Sequence, residues 1–319
     1  MKESTLSAHC PVCGSIAAKP SAKLDNGYTL VQCLQCELLF ANPRPTIEQL
    51  KAVYEPPPAG VFADHTLDET KGIGIQYEAL LRRSGGTGNK VLEIGCNTGF
   101  ALHGLQQLGY DVSGTDLSET AIQFGKERYN LQQLYCSEFP PPKYMGTFDV
   151  VIASHIIEHV VSPKDFVAQC ARFLKKGGLY IIRTPNARSL GIRLLKTHYP
   201  VFCPPIHLNY FSQATLSSLL HGPFALMRSE IDSDWRDKRN TVYNLLVSIT
   251  HQLRIKDRLK DHRAFGENTA AGNGNARSAN ALDVVRRSTQ FTQRMLWPVF
   301  SVLDKTGLGE NMTVVARKL

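Results

Sequence analysis

The sequence predicts an α/β protein: an open, mostly parallel sheet with helices between its strands, preceded by a small cysteine-clasped module. Three observations carry this expectation. Short apolar, β-branched runs (Val91 to Ile94, Phe148 to Ala153, Leu179 to Arg183) alternate with amphipathic, helix-length segments, the pattern of successive βα units. The first of these strands breaks at Gly95, and Gly99 follows before an apolar-periodic segment of Phe100, Leu102, Leu105 and Leu108. Two Cys-x-x-Cys pairs stand near the N-terminus with nineteen residues between them.

Composition sets the outer bounds. A chain of 319 residues has room for one large α/β domain and a small appendage. Its hydrophobic fraction of 43% and charged fraction of 20% are ordinary for a soluble globular protein. No apolar run approaches the ~20 residues that span a bilayer, and no hydrophobic stretch follows Lys2 as a signal peptide requires. A cytoplasmic location is therefore expected, and in a reducing compartment eight cysteines are read as metal chemistry before disulfides. The net charge of +8 is lopsided: from Arg183 onward there are twenty Lys and Arg against ten Asp and Glu. Nucleic acid, anionic lipid headgroups and acidic substrates all suit such an excess, and composition does not choose among them.

The N-terminal segment, residues 1–45, reads as a zinc ribbon. In Cys10-Pro11-Val12-Cys13 and Cys33-Leu34-Gln35-Cys36, two intervening residues let both thiolates of a pair face one tetrahedral ion. Asp25-Asn26-Gly27-Tyr28 is a hairpin turn leading into a strand at Thr29 and Val31. With Cys10, Cys13, Cys33 and Cys36 filling all four positions, the Zn²⁺ is expected to be structural; a redox Cys-x-x-Cys is the alternative. Cys96, Cys136, Cys170 and Cys203 are scattered and are expected to be buried small hydrophobes.

Residues 46–88 are expected to be linker and lid. Thr46 is placed to cap a helix over Ile47 to Leu50. Glu55 to Gly60, with three successive prolines, reads as a linker or hinge. A helix containing Ile75, Tyr77, Leu80 and Leu81 then leads through Gly85 to Gly88 into the central strand.

The turn after that strand narrows the ligand. A phosphate-binding P-loop ends in Gly-Lys-Ser/Thr, which is missing here, and a dinucleotide fingerprint has Gly-x-Gly-x-x-Gly where this chain has Gly-x-x-x-Gly. Glu93, directly before the turn, would repel a pyrophosphate but suits a cationic amino group. A second strand, Tyr110 to Thr115, ends at Asp116, about twenty residues past the turn, where an acid accepts both hydroxyls of a ribose.

On these residues the chain resembles the class I S-adenosylmethionine-dependent methyltransferases. In that family Glu-x-Gly-x-x-x-Gly cradles the methionine part of the cofactor, and the acid after the second strand takes the ribose. The resemblance implies a Rossmann-like seven-stranded sheet, and a cofactor set of Glu93, Gly95, Cys96, Asn97, Gly99, Asp116, Leu117, Ser137, Glu138 and Ser154. Asn97 departs from the family, which more often has glycine there. Ser137 and Glu138 stand in the loop after a short third strand at Leu134 and Tyr135, where the family contacts adenine, often through an Asp. The ribbon, the Asn42-Pro43-Arg44-Pro45 segment and the following helix resemble bacterial methyltransferases associated with polysaccharide or secondary-metabolite tailoring. Pre-sheet helices cover the cofactor in such relatives.

After Asp116, Ser118 is placed to cap a helix with Ala121, Ile122 and Phe124 on its inner face. The fourth strand, Phe148 to Ala153, runs into Ser154-His155-Ile156-Ile157-Glu158-His159. If this segment is helical, His155, Glu158 and His159 share one face. His-x-x-Glu-His also matches an inverted zinc-protease motif, but that motif belongs inside a long helix rather than after a parallel strand. A second reading is metal-assisted methylation: ubiquinone-pathway O-methyltransferases, which this chain resembles, and small-RNA O-methyltransferases carry a similar acid-x-x-Glu-His cluster that binds a divalent ion, and here His155 replaces the acid. In the third, favoured reading, His159 is a general base or substrate-orienting group positioned by Glu158. A purely structural role for Glu158 and His159 at a helix start stays open.

Phe166 to Leu174 reads as an amphipathic helix stopped at Lys175-Lys176-Gly177-Gly178. Leu179 to Arg183 is the fifth strand, and Pro185 and Asn186 after it are expected to border the substrate. Family relatives place the His207-Leu208-Asn209-Tyr210-Phe211-Ser212 segment near the active site, which makes His207 a second catalytic candidate; a buried structural histidine is the other reading. A helix over Thr215 to Leu220 follows. Phe224 to Ser229 and Met312 to Arg317 read as the last two strands, which pair antiparallel in the class I fold. The insertion at about 231–308 is expected to hold a helix near Val242 to Leu253, a polar stretch from Gly266 to Asn280 without fixed structure, and a basic amphipathic helix from about Leu282 to Leu303. That last helix suits packing on the sheet or a dimer contact, and also a membrane surface.

The domain from 89 to 319 is thus expected to transfer a methyl group from S-adenosylmethionine to an oxygen of a small-molecule, sugar or lipid-linked acceptor. An RNA methyltransferase is the alternative suggested by the ribbon and the basic C-terminal part, although an aromatic-basic stacking array is missing. A cofactor-binding scaffold acting through the ribbon is the reading from another class.

Overall fold

The computed structural model describes residues 9–46, 49–50, 65–232 and 301–319. The linker expected at Glu55 to Gly60 and nearly all of the 231–308 insertion, with its first helix, its polar stretch and all but the end of its second helix, lie outside the described residues; residues 301–305 are helical.

Two sheets organise the chain. The first takes β1 (Ala18–Lys23), β2 (Thr29–Cys33), β3 (Leu39–Asn42) and β9 (Asn209–Tyr210), in that order. β1 and β2 form the hairpin around the Asn26-Gly27 turn, and β3 runs antiparallel to β2, with Leu30 opposite Ala41. β9 comes from more than 160 residues further along the chain and pairs antiparallel with β3, Leu39 opposite Tyr210 and Phe40 opposite Asn209. Val31, Cys33 and Phe40 share one face of this small sheet and are fully buried, so it has an apolar face of its own.

The second sheet has seven strands in the order β10-β11-β8-β7-β4-β5-β6. They are β4 (Lys90–Ile94), β5 (Asp111–Asp116), β6 (Leu134–Cys136), β7 (Phe148–Ser154), β8 (Leu174–Pro185), β10 (Phe224–Asp232) and β11 (Asn311–Lys318). β4 pairs parallel with β5 and β7, β5 with β6, and β7 with β8. Val91, Leu92, Val150, Val151, Ile152, Ile181 and Ile182 are all 1% exposed or less. Continuous apolar strands are what a parallel sheet covered on both faces requires. The order reverses between β4 and β7, and a ligand crevice forms beyond the carboxyl ends of strands at such a switch point.

The covering helices are capped as their sequences prescribe. They are α1 (Leu67–Arg83), α2 (Phe100–Gln106), α3 (Glu119–Tyr129), α4 (Pro163–Phe173), α5 (Leu190–Leu195) and α6 (Gln213–Leu220). Thr66 and Glu69 form a reciprocal capping box on α1, Ser118 accepts from the Ala121 amide on α3, and Ser212 from the Thr215 amide on α6. α1 crosses α2 at backbone contact distance: a Cβ on Gly74 would lie 2.3 Å from the Gly104 carbonyl, and one on Gly104 2.0 Å from the Thr70 carbonyl. Thr46 and Gln49 cap each other reciprocally, as a helix start at Thr46 requires.

Three expectations change. The glycine stop at Lys175 to Gly178 does not exist: α4 passes at Phe173 directly into β8, and the Lys-Lys-Gly-Gly stretch bulges out of the ladder. Phe148 pairs with Leu174, yet Val150 pairs with Leu179. Cys136 is exposed and Cys203 half-buried, whereas Cys96 and Cys170 are buried as expected. Cys136 ends β6, the edge strand of the seven-stranded sheet among the described residues. Asn186 does not present its side chain to a ligand. It is 2% exposed, and its amide donates to the carbonyls of Gly307 and Gly309.

Contacts divide the chain into two compact units. The first contains both sheets' strands up to Pro185, residues 203–230 and the C-terminal strand from Met312. The second comprises residues 186–202 and 231–311, and within its described part Tyr199 donates to Glu310 and packs under Gly191.

Candidate active site

The β4 turn is shaped by left-handed backbone at three residues, two of them glycines. Gly95, Asn97 and Gly99 all take left-handed backbone angles, with φ of 71°, 51° and 73°. Asparagine tolerates this region because its short amide bonds locally, and here Asn97 Oδ1 accepts from the Thr98 amide at 2.7 Å. Asn97 therefore occupies the glycine-like position without a glycine. A Cβ on Gly95 would sit 2.1 Å from Ile156, and one on Gly99 2.6 Å from Leu131. Packing of the chain's own side chains, besides φ, is what requires glycine here.

Asp116, at the end of β5, faces this turn. Its Oδ2 accepts from the Asn97 amide at 2.8 Å and its Oδ1 from the Ser118 amide at 2.9 Å, which fixes the carboxylate and leaves each oxygen a further lone pair. Glu93 is buried at the end of β4. Cys96 donates its amide to Thr115 and turns its side chain into the apolar core, where burial pushes its thiol well up. Leu117 is 68% exposed. Ser137 turns its hydroxyl to the Phe139 carbonyl, and the Glu138 carbonyl accepts from Thr115, so that loop is held against β5. Buried or fixed carboxylates at two adjacent strand ends, over a left-handed glycine turn, suit a ligand carrying an amino cation and a diol.

The second cluster stands after β7. The segment from His155 to His159 is a turn, not a helix, and His155 itself is left-handed at φ 57°. The long helix that an inverted zinc-protease motif needs is thereby excluded. The turn nevertheless converges the residues expected from helical spacing. Glu158 is 2% exposed, with Thr184 donating to its Oε2 at 2.9 Å. His155 Nδ1 lies 3.3 Å, and His159 Nε2 3.9 Å, from its Oε1. Burial alone would raise the Glu158 carboxyl. The contact with His155 and the imidazoles of His155, His159 and His207 outweigh it and hold the group down at about 2.

His159 and His207 meet edge to face, ring centroids 4.8 Å apart. His159 Nδ1 lies 3.0 Å from the Ile206 carbonyl. A carbonyl only accepts, so Nδ1 carries the proton and Nε2 is the basic nitrogen of the neutral ring. The Ile206 carbonyl thus holds His159 more closely than the Glu158 carboxylate does. Donor atoms of Glu158, His159 and His207 all lie within 4.8 Å of one another. Ser154 ends β7 beside Arg183 of β8. Thr184 and the Ile206 carbonyl escaped the sequence reading. The first was legible only as a strand end, and the second has no side-chain signal.

A family model described as a methyltransferase domain matches residues 73–222, a stretch that holds the glycine turn, Asp116, Glu158, His159 and His207. The ubiquinone biosynthesis O-methyltransferase of Caulobacter sp. (strain K31) is 27% identical over 221 residues, covering 60% of this chain and 87% of that protein. The ubiquinone biosynthesis O-methyltransferase of Azoarcus sp. (strain BH72) is 37% identical over 107 residues, covering 31% of this chain and 45% of that protein. A crystal structure of a SAM dependent methyltransferase from Archaeoglobus fulgidus aligns with a TM-score of 0.43 at 20% identity, over 77% of this chain and 94% of that one. The chain is a class I S-adenosylmethionine-dependent methyltransferase.

The methyltransferase carries a further cluster outside the matched stretch. Cys10, Cys13, Cys33 and Cys36 bring their sulfurs within 4.8 Å of one another, with Cys10 to Cys36 and Cys13 to Cys33 both at 3.5 Å. A tetrahedron of thiolates around zinc has edges of about 3.8 Å, so the set fits that ion with little adjustment. Against the opposing push of burial, the amides of Cys36 and Gln35 draw the Cys33 thiol down to about 7. All eight cysteines of the methyltransferase are free thiols. None of its described helices is long and apolar enough to cross a membrane.

Proposed function

We propose that this methyltransferase methylates an oxygen on a small-molecule, sugar or lipid-linked acceptor, with His159 taking the proton of the acceptor hydroxyl. One observation carries the reading: His159 is held through Nδ1 by the Ile206 carbonyl, its Nε2 lies 3.9 Å from the buried Glu158, and its ring meets that of His207. Relatives named as O-methyltransferases support oxygen as the nucleophile.

When bound, the cofactor supplies an electrophilic methyl on a sulfonium. Glu93 would hold its amino group, Asp116 its ribose hydroxyls, and the Gly95 to Gly99 backbone its methionine part, with Leu117, Ser137 and Glu138 bordering the adenine. On the acceptor side, His159 Nε2 removes the hydroxyl proton, and Glu158 balances the imidazolium through a contact of 3.9 Å. His155 pairs with Glu158, and His207 faces the same space from β9's side of the site. Alignment of the two reactants supplies most of the remaining acceleration. Cys10, Cys13, Cys33 and Cys36 would hold a structural Zn²⁺, and eight cysteines without a disulfide among them fit a reducing cytoplasm.

The closeness of the Glu158, His159 and His207 donors favours a second reading, in which a divalent cation there lowers the pKa of the acceptor hydroxyl. The test begins with calorimetric titration of S-adenosylhomocysteine into the purified protein and its Asp116→Ala variant. Binding that the variant loses supports the cofactor assignment, and no binding by folded protein overturns it. A screen of hydroxylated acceptors with wild type and His159→Ala follows. Transfer lost in the variant and indifferent to added Mg²⁺ or Mn²⁺ supports the base; transfer that depends on the added cation supports the second reading.

A further inference from the structure

The Ile206-to-Tyr210 segment that presents His207 and the His159 carbonyl partner belongs to two structures at once. On one side it is bonded to the His155-to-Val161 turn. The amides of Leu208 and Asn209 donate to the Glu158 carbonyl at 2.7 and 3.0 Å. The fully buried Asn209 side chain donates to the carbonyls of Ile157 and Val160 at 3.2 and 2.8 Å. On its other side the same segment is the fourth strand of the cysteine-bearing sheet, through β3 and through Ala41, whose amide donates to the Leu208 carbonyl.

Arg44 joins the two. Its guanidinium donates to the Leu208 carbonyl and to Asn209 Oδ1, both at 3.0 Å. It also donates to the carbonyls of Val160, at 3.2 Å, and Val161. Only a planar fork with several donors satisfies four oxygens on two segments at once. Burial lowers the guanidinium toward about 10, so it keeps its charge at neutral pH while facing the Cys10 and Tyr210 side chains. Asn26, in the hairpin turn of the ribbon, adds a bond of 2.7 Å to the Pro204 carbonyl.

We propose that the zinc ribbon completes the acceptor side of the active site, with Arg44 as the positioning residue that sets His159 and His207 opposite each other. This rests on the assignment of those histidines to the acceptor side, but its test is independent of their chemistry. A ribbon that loses its metal, or an Arg44 that loses its fork, releases β9 and the His155-to-Val161 turn together. The cofactor turn from Glu93 to Asp116 keeps its own hydrogen bonds and stays as it is.

The experiment is nitrogen-15 NMR of histidine-labelled full-length protein, with the His159 and His207 rings assigned from His159→Gln and His207→Gln. Arg44→Ala is expected to move both ring signals while leaving that of His103, and the affinity for S-adenosylhomocysteine, unchanged. Arg44→Lys, which keeps a donor but not the fork, is expected to restore them in part. Cys13→Ser, with its zinc loss measured directly, is expected to reproduce the Arg44→Ala signals. Unmoved His159 and His207 rings in Arg44→Ala overturn the proposal. So does joint loss of the His103 signal and of cofactor affinity, since that is general unfolding. Rings that stay in place in zinc-free Cys13→Ser overturn the ribbon's part. On the acceptor from the screen, Arg44→Ala is expected to lower kcat by about 10²-fold, the usual cost of a misplaced group. His159→Gln that left transfer intact would count against the proposed base, while the ring signals would still report on the coupling.

Discussion

The proposed cofactor side of the site is tied together by partners close in sequence, the proposed acceptor side by partners far apart. Asn97 and Asp116 are 19 residues apart, and Thr115 and Glu138 are 23. His159 and Ile206 are separated by 47 residues, Arg44 and Val161 by 117, and Arg44 and Asn209 by 165. Closing a longer loop costs more conformational entropy, though the cost grows slowly with length. The practical difference lies elsewhere. The short-range side is carried by consecutive strands β4, β5 and β6, whereas the acceptor side assembles only once the ribbon, β7, β8 and β9 are all in place.

The division predicts separable losses. Glu158→Gln should have the largest effect, lowering methyl transfer by about 10²- to 10⁴-fold, because the proposed base His159 loses the charge that balances its imidazolium. Its affinity for S-adenosylhomocysteine should stay at the wild-type value; a parallel fall in that affinity would show that the two sides are one cooperative unit. Asp116→Ala should do the reverse. Losing charge-assisted bonds of about 1.5–3 kcal/mol weakens the cofactor about 10- to 100-fold, measured by calorimetry, with the His159 and His207 ring signals unmoved.

Gly95 is where the sides touch, because its missing Cβ makes room for Ile156. Gly95→Ala should destabilise the fold by about 1–3 kcal/mol through φ strain and that clash, read from the denaturant midpoint. Adding Ile156→Ala should recover part of the loss; strict additivity of the two changes would show that the contact contributes nothing. The smallest effect is expected for Asn97→Gly. Relief of the left-handed backbone offsets the lost bond to the Thr98 amide, leaving stability within about 1 kcal/mol of wild type.

Legibility followed the same line. The strand-turn-helix at Lys90 to Phe100, the acid ending β5 and the buried β7 strand announced themselves through period and spacing, and the fold is the class I sheet they predicted. The Cys-x-x-Cys pairs likewise predicted the cluster that the ribbon forms. Helical spacing grouped His155, Glu158 and His159 correctly, although the segment is a turn; i, i+3 and i+4 positions converge in either conformation when Glu158 is drawn inward by Thr184. Lys175 to Gly178 misled because a bulge in β8 uses the same glycines as a helix stop. Asn186 misled because a strand end that borders a crevice in one arrangement is spent on backbone carbonyls in another.

By itself, then, the sequence determined the strands of the seven-stranded sheet and most of the helices between them, the glycine turn with its two acids, and the cysteine cluster, since each is specified by residues a few turns of chain apart. Only the tertiary structure decided the tautomer of His159, the meeting of His159 with His207, and the role of Arg44. These depend on backbone carbonyls and on a β3–β9 pairing across more than 160 residues, and a carbonyl oxygen looks the same in every residue until the fold aims it.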